Sequence, residues 1–158
     1  LPYRRCVGIM LFNQVGKVFV AQRIDQEEDA WQMPQGGIER NESPSEAALR
    51  ELEEEIGTAN VRTLKESKNW YHYDFPAHLA DKVWKGRFRG QSQKWFAMEF
   101  MGEYSEIDPM GVDYPEFTDW RWVDLACLPS LTISFKKETY QSIALEFSVL
   151  SEALRANK

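Results

Sequence analysis

Residues 36–57 read GGIERNESPSEAALRELEEEIG, and the architecture of the chain can be worked out from this stretch. Ser43 is a preferred N-cap, Pro44 suits the first helical position, and Glu46 completes a capping box. Gly57 stands where a left-handed C-cap is wanted, so a helix is predicted over Ser43 to Ile56. On that helix Glu51, Glu54 and Glu55 fall at i, i+3 and i+4 and share one face. Glu53 is expected to point away, and Ala48, Leu49, Leu52 and Ile56 to form the apolar stripe that anchors the helix. Like charges at these spacings each cost roughly 0.2–0.5 kcal/mol when uncompensated. A solvated acidic face is one reading. The other is a site for a hard divalent cation, which takes oxygen ligands and cancels the repulsion. Two neighbours favour the cation: Gly36-Gly37 lets backbone groups approach a metal or phosphate closely, and Arg50 with Glu42 is placed to brace the acids.

Outward from this helix, Tyr3–Phe12 (YRRCVGIMLF) and Lys17–Arg23 (KVFVAQR) predict strands joined by a turn at Asn13 to Gly16. Residues 24–35 read as a polar loop leading into a short strand. Trp70–Phe75, Lys94–Met101 and Trp120–Val123 predict further strands. Ile143, Phe147, Leu150 and Leu154 give a terminal amphipathic helix from Glu138 to Leu154. Strands of mixed spacing with two helices imply an α/β or α+β sandwich. With 158 residues, 43% of them apolar, and no repeat or linker, a single domain over 1–158 is expected.

The charge balance, 25 acidic against 19 basic residues, argues against non-specific nucleic-acid binding, and DNA is not an expected partner. It does not exclude a protein that handles polyphosphates through metal ions. The longest apolar run, Val7 to Phe12, is broken by Gly8 and falls far short of the roughly 18 residues that span a bilayer. No basic-then-apolar leader precedes it, so no signal peptide is expected. Cys6 and Cys127 form no CxxC pair, which points to a reducing, cytoplasmic compartment without disulfides. His72 and His78 lack zinc-ligand spacing.

Gly36, Glu42 and the run Arg50-Glu51-Leu52-x-Glu54-Glu55-x-Gly57 resemble the Nudix box, G-x5-E-x7-R-E-U-x-E-E-x-G-U. The one departure is Thr58, where an aliphatic residue is usual and a packing role is expected. The resemblance extends through Tyr3-Arg4-Arg5, Trp31 to Gly37, Gln93 to Phe96, Pro115-Glu116-Phe117 and Ser134-Phe135-Lys136-Lys137. These stretches are similar to the RNA pyrophosphohydrolase and diadenosine polyphosphate hydrolase branch of the family. The implied fold is the Nudix α/β/α sandwich around a mixed β-sheet. The implied cofactor is Mg²⁺, with Mn²⁺ or another divalent metal as alternatives, held by Glu51, Glu54, Glu55, the Gly36 carbonyl and Glu116. Glu51 is the preferred acceptor of the proton from the attacking water.

The same resemblance makes Arg4, Arg23 and Lys136 candidates for phosphate or base contacts and Phe135 a stacking surface with Arg23 on the base's other face. Tyr73 and Trp70 are candidates to line the site. Each has an ordinary alternative: Glu116 a loop acid, Phe135 and Tyr73 core, Arg23 a surface charge. Lys82 to Lys94 (KVWKGRFRGQSQK) carries five cations and no acid, interleaved with Trp84 and Phe88. It reads either as a guide for an RNA chain or as a basic loop balancing the acids. Three functions stay open. One is removal of pyrophosphate from 5′-triphosphorylated RNA, which in bacteria primes a transcript for decay. The second is hydrolysis of dinucleoside polyphosphates, and the third a catalytically silent nucleotide-binding module.

Overall fold

The computed structural model of the protein describes residues 1–25 and 29–157; residues 26–28, within the stretch read as a loop, lie outside it. In chain order the elements are β1 (Tyr3–Phe12), β2 (Val18–Arg23), β3 (Gln35–Gly37), α1 (Pro44–Ile56), β4 (Val61–Glu66) and β5 (Tyr71–Asp74). They continue with the single turn α2 (Ala77–Ala80), β6 (Gly90–Phe100), β7 (Phe117–Val123), the short α3 (Leu128–Leu131) and α4 (Lys137–Ala156).

β1 is central because its alternation is apolar on both sides. Val7, Ile9 and Leu11 enter the core under α1, while Met10 and Phe12 enter a second core under α4. β6 lies parallel to β1, from Tyr3 opposite Gly90 to Phe12 opposite Glu99. The sheet runs β4-β6-β1-β2-β7, with β3 paired to β1 and β5 to β6, and every pair except β1–β6 is antiparallel. A mixed sheet with α1 on one face and α4 on the other is the α/β/α sandwich the resemblance implied. Gly8 is required by this packing: a Cβ there would sit 2.5 Å from the Trp95 ring in the neighbouring strand.

α1 forms as its end signals dictate. The Ser43 side chain accepts from the Glu46 N–H, and the Glu46 side chain accepts from the Ser43 N–H in return. Gly57, at φ 92°, donates its N–H to the Glu53 carbonyl 3.0 Å away. The apolar stripe needs one correction: Ala47 joins Ala48, Leu52 and Ile56 in the core, and Leu49 is exposed. Position 49 is rotated 100° past 48, which carries it over the edge of the buried arc.

β4 was not anticipated. It is an edge strand bearing Arg62, Lys65 and Glu66, with a bulge near Thr63, so it lacks the apolar run that marks a core strand. Observed β6 starts at Gly90 and β7 at Phe117, both earlier than their apolar patterns suggest. Thr58 is buried as expected of a packing position, but it is held by hydrogen bonds: its hydroxyl donates to Glu106 at 3.3 Å and accepts from the Asn60 N–H at 3.1 Å.

Candidate active site

The acidic face of α1 forms one wall of a cavity of about 580 Å³, lined by Glu51, Glu54, Glu55 and Glu116 among others. Glu116 comes from the residue before β7. A register shift between Gln22 and Arg23 turns the chain here, and the Ile24 N–H donates to the Glu116 carbonyl at 2.8 Å. Sequence-distant carboxylates are thereby brought together. Glu53, expected to point away, lines the outer part of the same cavity, because the cavity wraps the helix C-terminus and is closed by residues 111–114.

This arrangement runs against local electrostatics. The last turn of α1 carries glutamates and no basic residue, the unfavourable sign for a helix C-terminus. Burial, and after it the negative charges of Glu116 and Glu51, push the Glu55 carboxyl well above the usual carboxylate range. Burial also raises Glu51, against the opposing pull of Arg50. Glu55 has one weak partner, the Gln35 N–H at 3.3 Å. Buried Glu55 and half-buried Glu51 beside the exposed Glu54 and Glu116 make a mutually repelling set of oxygen donors that fits a hard divalent cation, and these four side chains could hold it.

Among the described residues no three acidic, histidine or cysteine side chains converge as a finished coordination shell. Arg50 is one reason. Its guanidinium donates to both Glu42 oxygens (2.7 and 2.9 Å), Glu51 (2.8 Å), Glu54 (3.2 Å) and the Gly37 carbonyl (2.8 Å). The Arg50 guanidinium in turn holds the Glu42 carboxyl down at about 2. Arg50 therefore ties α1 to the glycine strand and braces the carboxylates, as the spacing suggested.

Gly36 does not line the cavity but lies directly against Glu51: a Cβ at Gly36 would fall 2.0 Å from the Glu51 Cδ. Gly36→Ala is expected to lower kcat about 100-fold by displacing that carboxylate, with the melting temperature little changed. An activity assay beside a thermal melt checks this. Wild-type kcat in the alanine variant would mean that Glu51 need not hold this position.

A second cavity of about 480 Å³ receives four of the other predicted residues: Arg23, Tyr73, Phe135 and Lys136. Tyr73 and Phe135 lie 5.5 Å apart with planes tilted by 35°. Arg23 is held by Asp25 through two hydrogen bonds of 2.9 and 3.0 Å, which sets its guanidinium at the cavity edge. Lys136 is buried, its Nζ reaching, among the described residues, only the Gln32 Oε1 at 3.4 Å, and burial pushes its ammonium down to about 8. The Gln32 Nε2 is buried without a partner among the described residues. The cavity thus offers two aromatic rings beside donors in want of acceptors.

Three placements differ from the sequence reading. Trp70 lines neither cavity and instead lies beneath the Arg5 guanidinium, 4.8 Å away, and the Lys94 ammonium, 5.9 Å away. Arg4 is also outside both linings; its Cζ sits 3.9 Å from the Trp84 ring centroid. The basic island is divided, since Arg89 pairs with Asp74 at 3.0 Å and Lys94 with Glu66 at 3.6 Å. Gln32, Gln35 and Val83 line the aromatic cavity and had no assigned role. Two glutamines set in the otherwise apolar Trp31–Gln35 segment, Gln32 buried and Gln35 half-buried in the fold, were the available signal.

The NUDIX domain model matches residues 2–143. The RNA pyrophosphohydrolase of Rhodospirillum rubrum is 51% identical over 148 residues, covering 94% of this chain and 88% of that protein. That of Bartonella quintana is 47% identical over 157 residues, covering 93% and 91%. The E. coli dihydroneopterin triphosphate pyrophosphohydrolase shares the fold with a TM-score of 0.68 at 19% identity, covering 92% of this chain and 99% of its own. An acid-faced helix entered through a glycine strand is thus found in a chain matched by the family model over most of its length, and the protein belongs to the Nudix hydrolases.

Proposed function

We propose that the protein is a divalent-metal-dependent pyrophosphohydrolase that removes pyrophosphate from the 5′-triphosphate end of RNA. The observation that carries this reading is the pairing of two cavities, one acidic and one aromatic with donors in want of acceptors, joined where Gln35 of the second donates to Glu55 of the first. The likeness to RNA pyrophosphohydrolases near half identical to this chain supports the choice of RNA.

Glu51, Glu54, Glu55, Glu116 and the Gly36 carbonyl would hold the metal, and their oxygen donors suit Mg²⁺, with Mn²⁺ or another hard divalent ion as alternatives. When bound, such an ion neutralises phosphate oxygens and acidifies a water. Glu51 accepts the proton of the attacking water, and Arg50 keeps that carboxylate in place. Phe135 and Tyr73 stack on a base, Arg23 and Lys136 supply positive charge to it and the adjacent phosphate, and Gln32 donates its unpartnered N–H. Arg4, which lies against Gly37 of the glycine strand, is the cation assigned to the phosphate chain. The free thiols Cys6 and Cys127 suit a cytoplasmic, reducing setting, and no helix among the described residues is long and apolar enough to cross a membrane.

Dinucleoside polyphosphates are the second reading. Tyr114, 88% exposed on the outer wall of the acidic cavity, offers a second nucleoside a stacking surface. Parallel kcat/KM measurements with Mg²⁺ on 5′-triphosphorylated RNA and diadenosine tetraphosphate test the assignment. We expect the RNA to be preferred at least about tenfold, a difference of roughly 1.4 kcal/mol in transition-state stabilisation. Preference for the dinucleotide would overturn the RNA reading, and metal-independent inactivity on both would revive the silent binding module.

A further inference from the structure

Five of the six residues from Lys82 to Arg87 either carry positive charge or lie against the site, and their backbone is unusual. Trp84 and Lys85 hold φ at 53° and 55°, and Gly86 follows at 71°. Side-chain-bearing residues seldom adopt this left-handed region, and where they do, the strain concentrates at ligand-contacting segments. The turn places Val83 in the lining of the aromatic cavity. It places the next residue, Trp84, flat against the Arg4 guanidinium at 3.9 Å, with Phe88 packed edge-on at 6.4 Å.

Arg4 in turn occupies the space above Gly37, where a Cβ would lie 2.2 Å from its Nη2. Gly36 occupies the corresponding place beneath Glu51. A continuous line of contacts therefore runs from the acidic cavity through the glycine strand and Arg4 to Trp84. The indole remains 48% exposed. Lys82, Lys85 and Arg87 are exposed around it, and no carboxylate among the described residues lies within ion-pair distance of them. Asp81 is the one acid on the segment's border. Arg89 and Lys94, by contrast, are committed to Asp74 and Glu66.

We propose that Lys82, Trp84, Lys85 and Arg87 form a landing surface for single-stranded RNA, binding the nucleotides that follow the one seated in the aromatic cavity. An exposed indole gives a base a sequence-tolerant stacking face, and three unpaired cations beside it track the phosphates. Because Trp84 also covers Arg4, a strand seated on the surface fixes the guanidinium assigned to the triphosphate. A two-nucleotide substrate supplies only one such nucleotide and a dinucleoside polyphosphate no 3′-linked one, so neither spans the three cations of this surface. The inference rests on the RNA reading above and extends it from the 5′ end to the body of the strand.

The test compares 5′-triphosphorylated RNAs of two nucleotides and of about ten, the size range of single-strand sites. Wild-type enzyme is expected to show kcat/KM at least about fivefold higher on the longer strand, the effect of one stacked base. Lys82→Ala/Lys85→Ala/Arg87→Ala and Trp84→Ala each remove that gain, Trp84→Phe keeps most of it, and the triple variant retains wild-type activity on the two-nucleotide substrate. The slope of log KM against log salt on the longer strand falls by about 2 in the triple variant, from three lost phosphate contacts. Equal kcat/KM for both lengths in wild type, or a length gain that survives in the variants, overturns the proposal. A second measurement separates this outcome from failure of the RNA reading. A 3′-labelled, 5′-hydroxyl single strand of the same length is titrated without metal and followed by fluorescence anisotropy. Binding that the triple variant loses sustains the surface whatever the preferred substrate of hydrolysis, and absence of binding by wild type removes it.

Discussion

Glu54→Gln lowers kcat by about three orders of magnitude while leaving the melting temperature within about 2 °C of wild type. The two halves of this expectation come from one observation. The Glu54 side chain is 57% exposed, and its one hydrogen bond among the described residues comes from Arg50 at 3.2 Å, which has four other acceptor atoms. A solvent-facing carboxylate of this kind contributes little to folding. Removing its charge does not change its shape, but it deletes one anionic oxygen from the set that holds the metal. Loss of several kcal/mol of transition-state charge stabilisation follows, at roughly 1.4 kcal/mol per decade of rate. Circular dichroism and a thermal melt establish the fold, and pyrophosphate release gives kcat. A variant that keeps more than a tenth of wild-type kcat would falsify the role of Glu54 as a metal ligand.

Lys136→Met is expected to act in opposite directions on stability and on function. Burial holds the Lys136 ammonium down at about 8 from its ordinary 10.5, so the folded protein binds fewer protons than the unfolded chain between those values. Stability therefore rises with pH across that window, and at neutral pH the charged lysine is a net cost to the fold. Methionine fills a similar volume without the charge, so the variant gains about 1–3 kcal/mol at pH 7, or about 3–8 °C in melting temperature. It also loses the pH-dependent rise between about 8 and 10.5. The same substitution removes a charged donor from the aromatic cavity and raises KM about 10- to 100-fold. Melts from pH 7 to 10.5 and Michaelis kinetics on RNA make both measurements. A destabilised variant with unchanged KM would assign Lys136 to the fold alone.

Local chemistry explains which parts of this protein could be read from its sequence. The boundaries of α1 depend on Ser43, Glu46 and Gly57, all within the element or beside it, and they came out as expected. The shared face of Glu51, Glu54 and Glu55 follows from helix geometry in the same way. Glu116 could be linked to that face only through resemblance, because its position depends on the pairing of β2 with β7. The path from Arg4 to Trp84 had no local signal. It is made by a parallel strand pair and a left-handed turn, and neither leaves a periodic trace in the residues involved. β4 escaped notice for a related reason, since an edge strand is stabilised by its neighbour and needs no apolar face of its own.

The pairing of β1 with β6 has a consequence for synthesis. Tyr3 and Phe12 leave the ribosome long before their partners in β6, Gly90 and Glu99, which lie 87 residues further along the chain. At about 5–20 residues per second, the nascent chain spends on the order of ten seconds with its most apolar strand unpaired on that edge. Neither the sheet nor the two layers packed on it can close before β6 emerges. β1 therefore waits for its central neighbour, and until then it has only β2 and β3 to pair with.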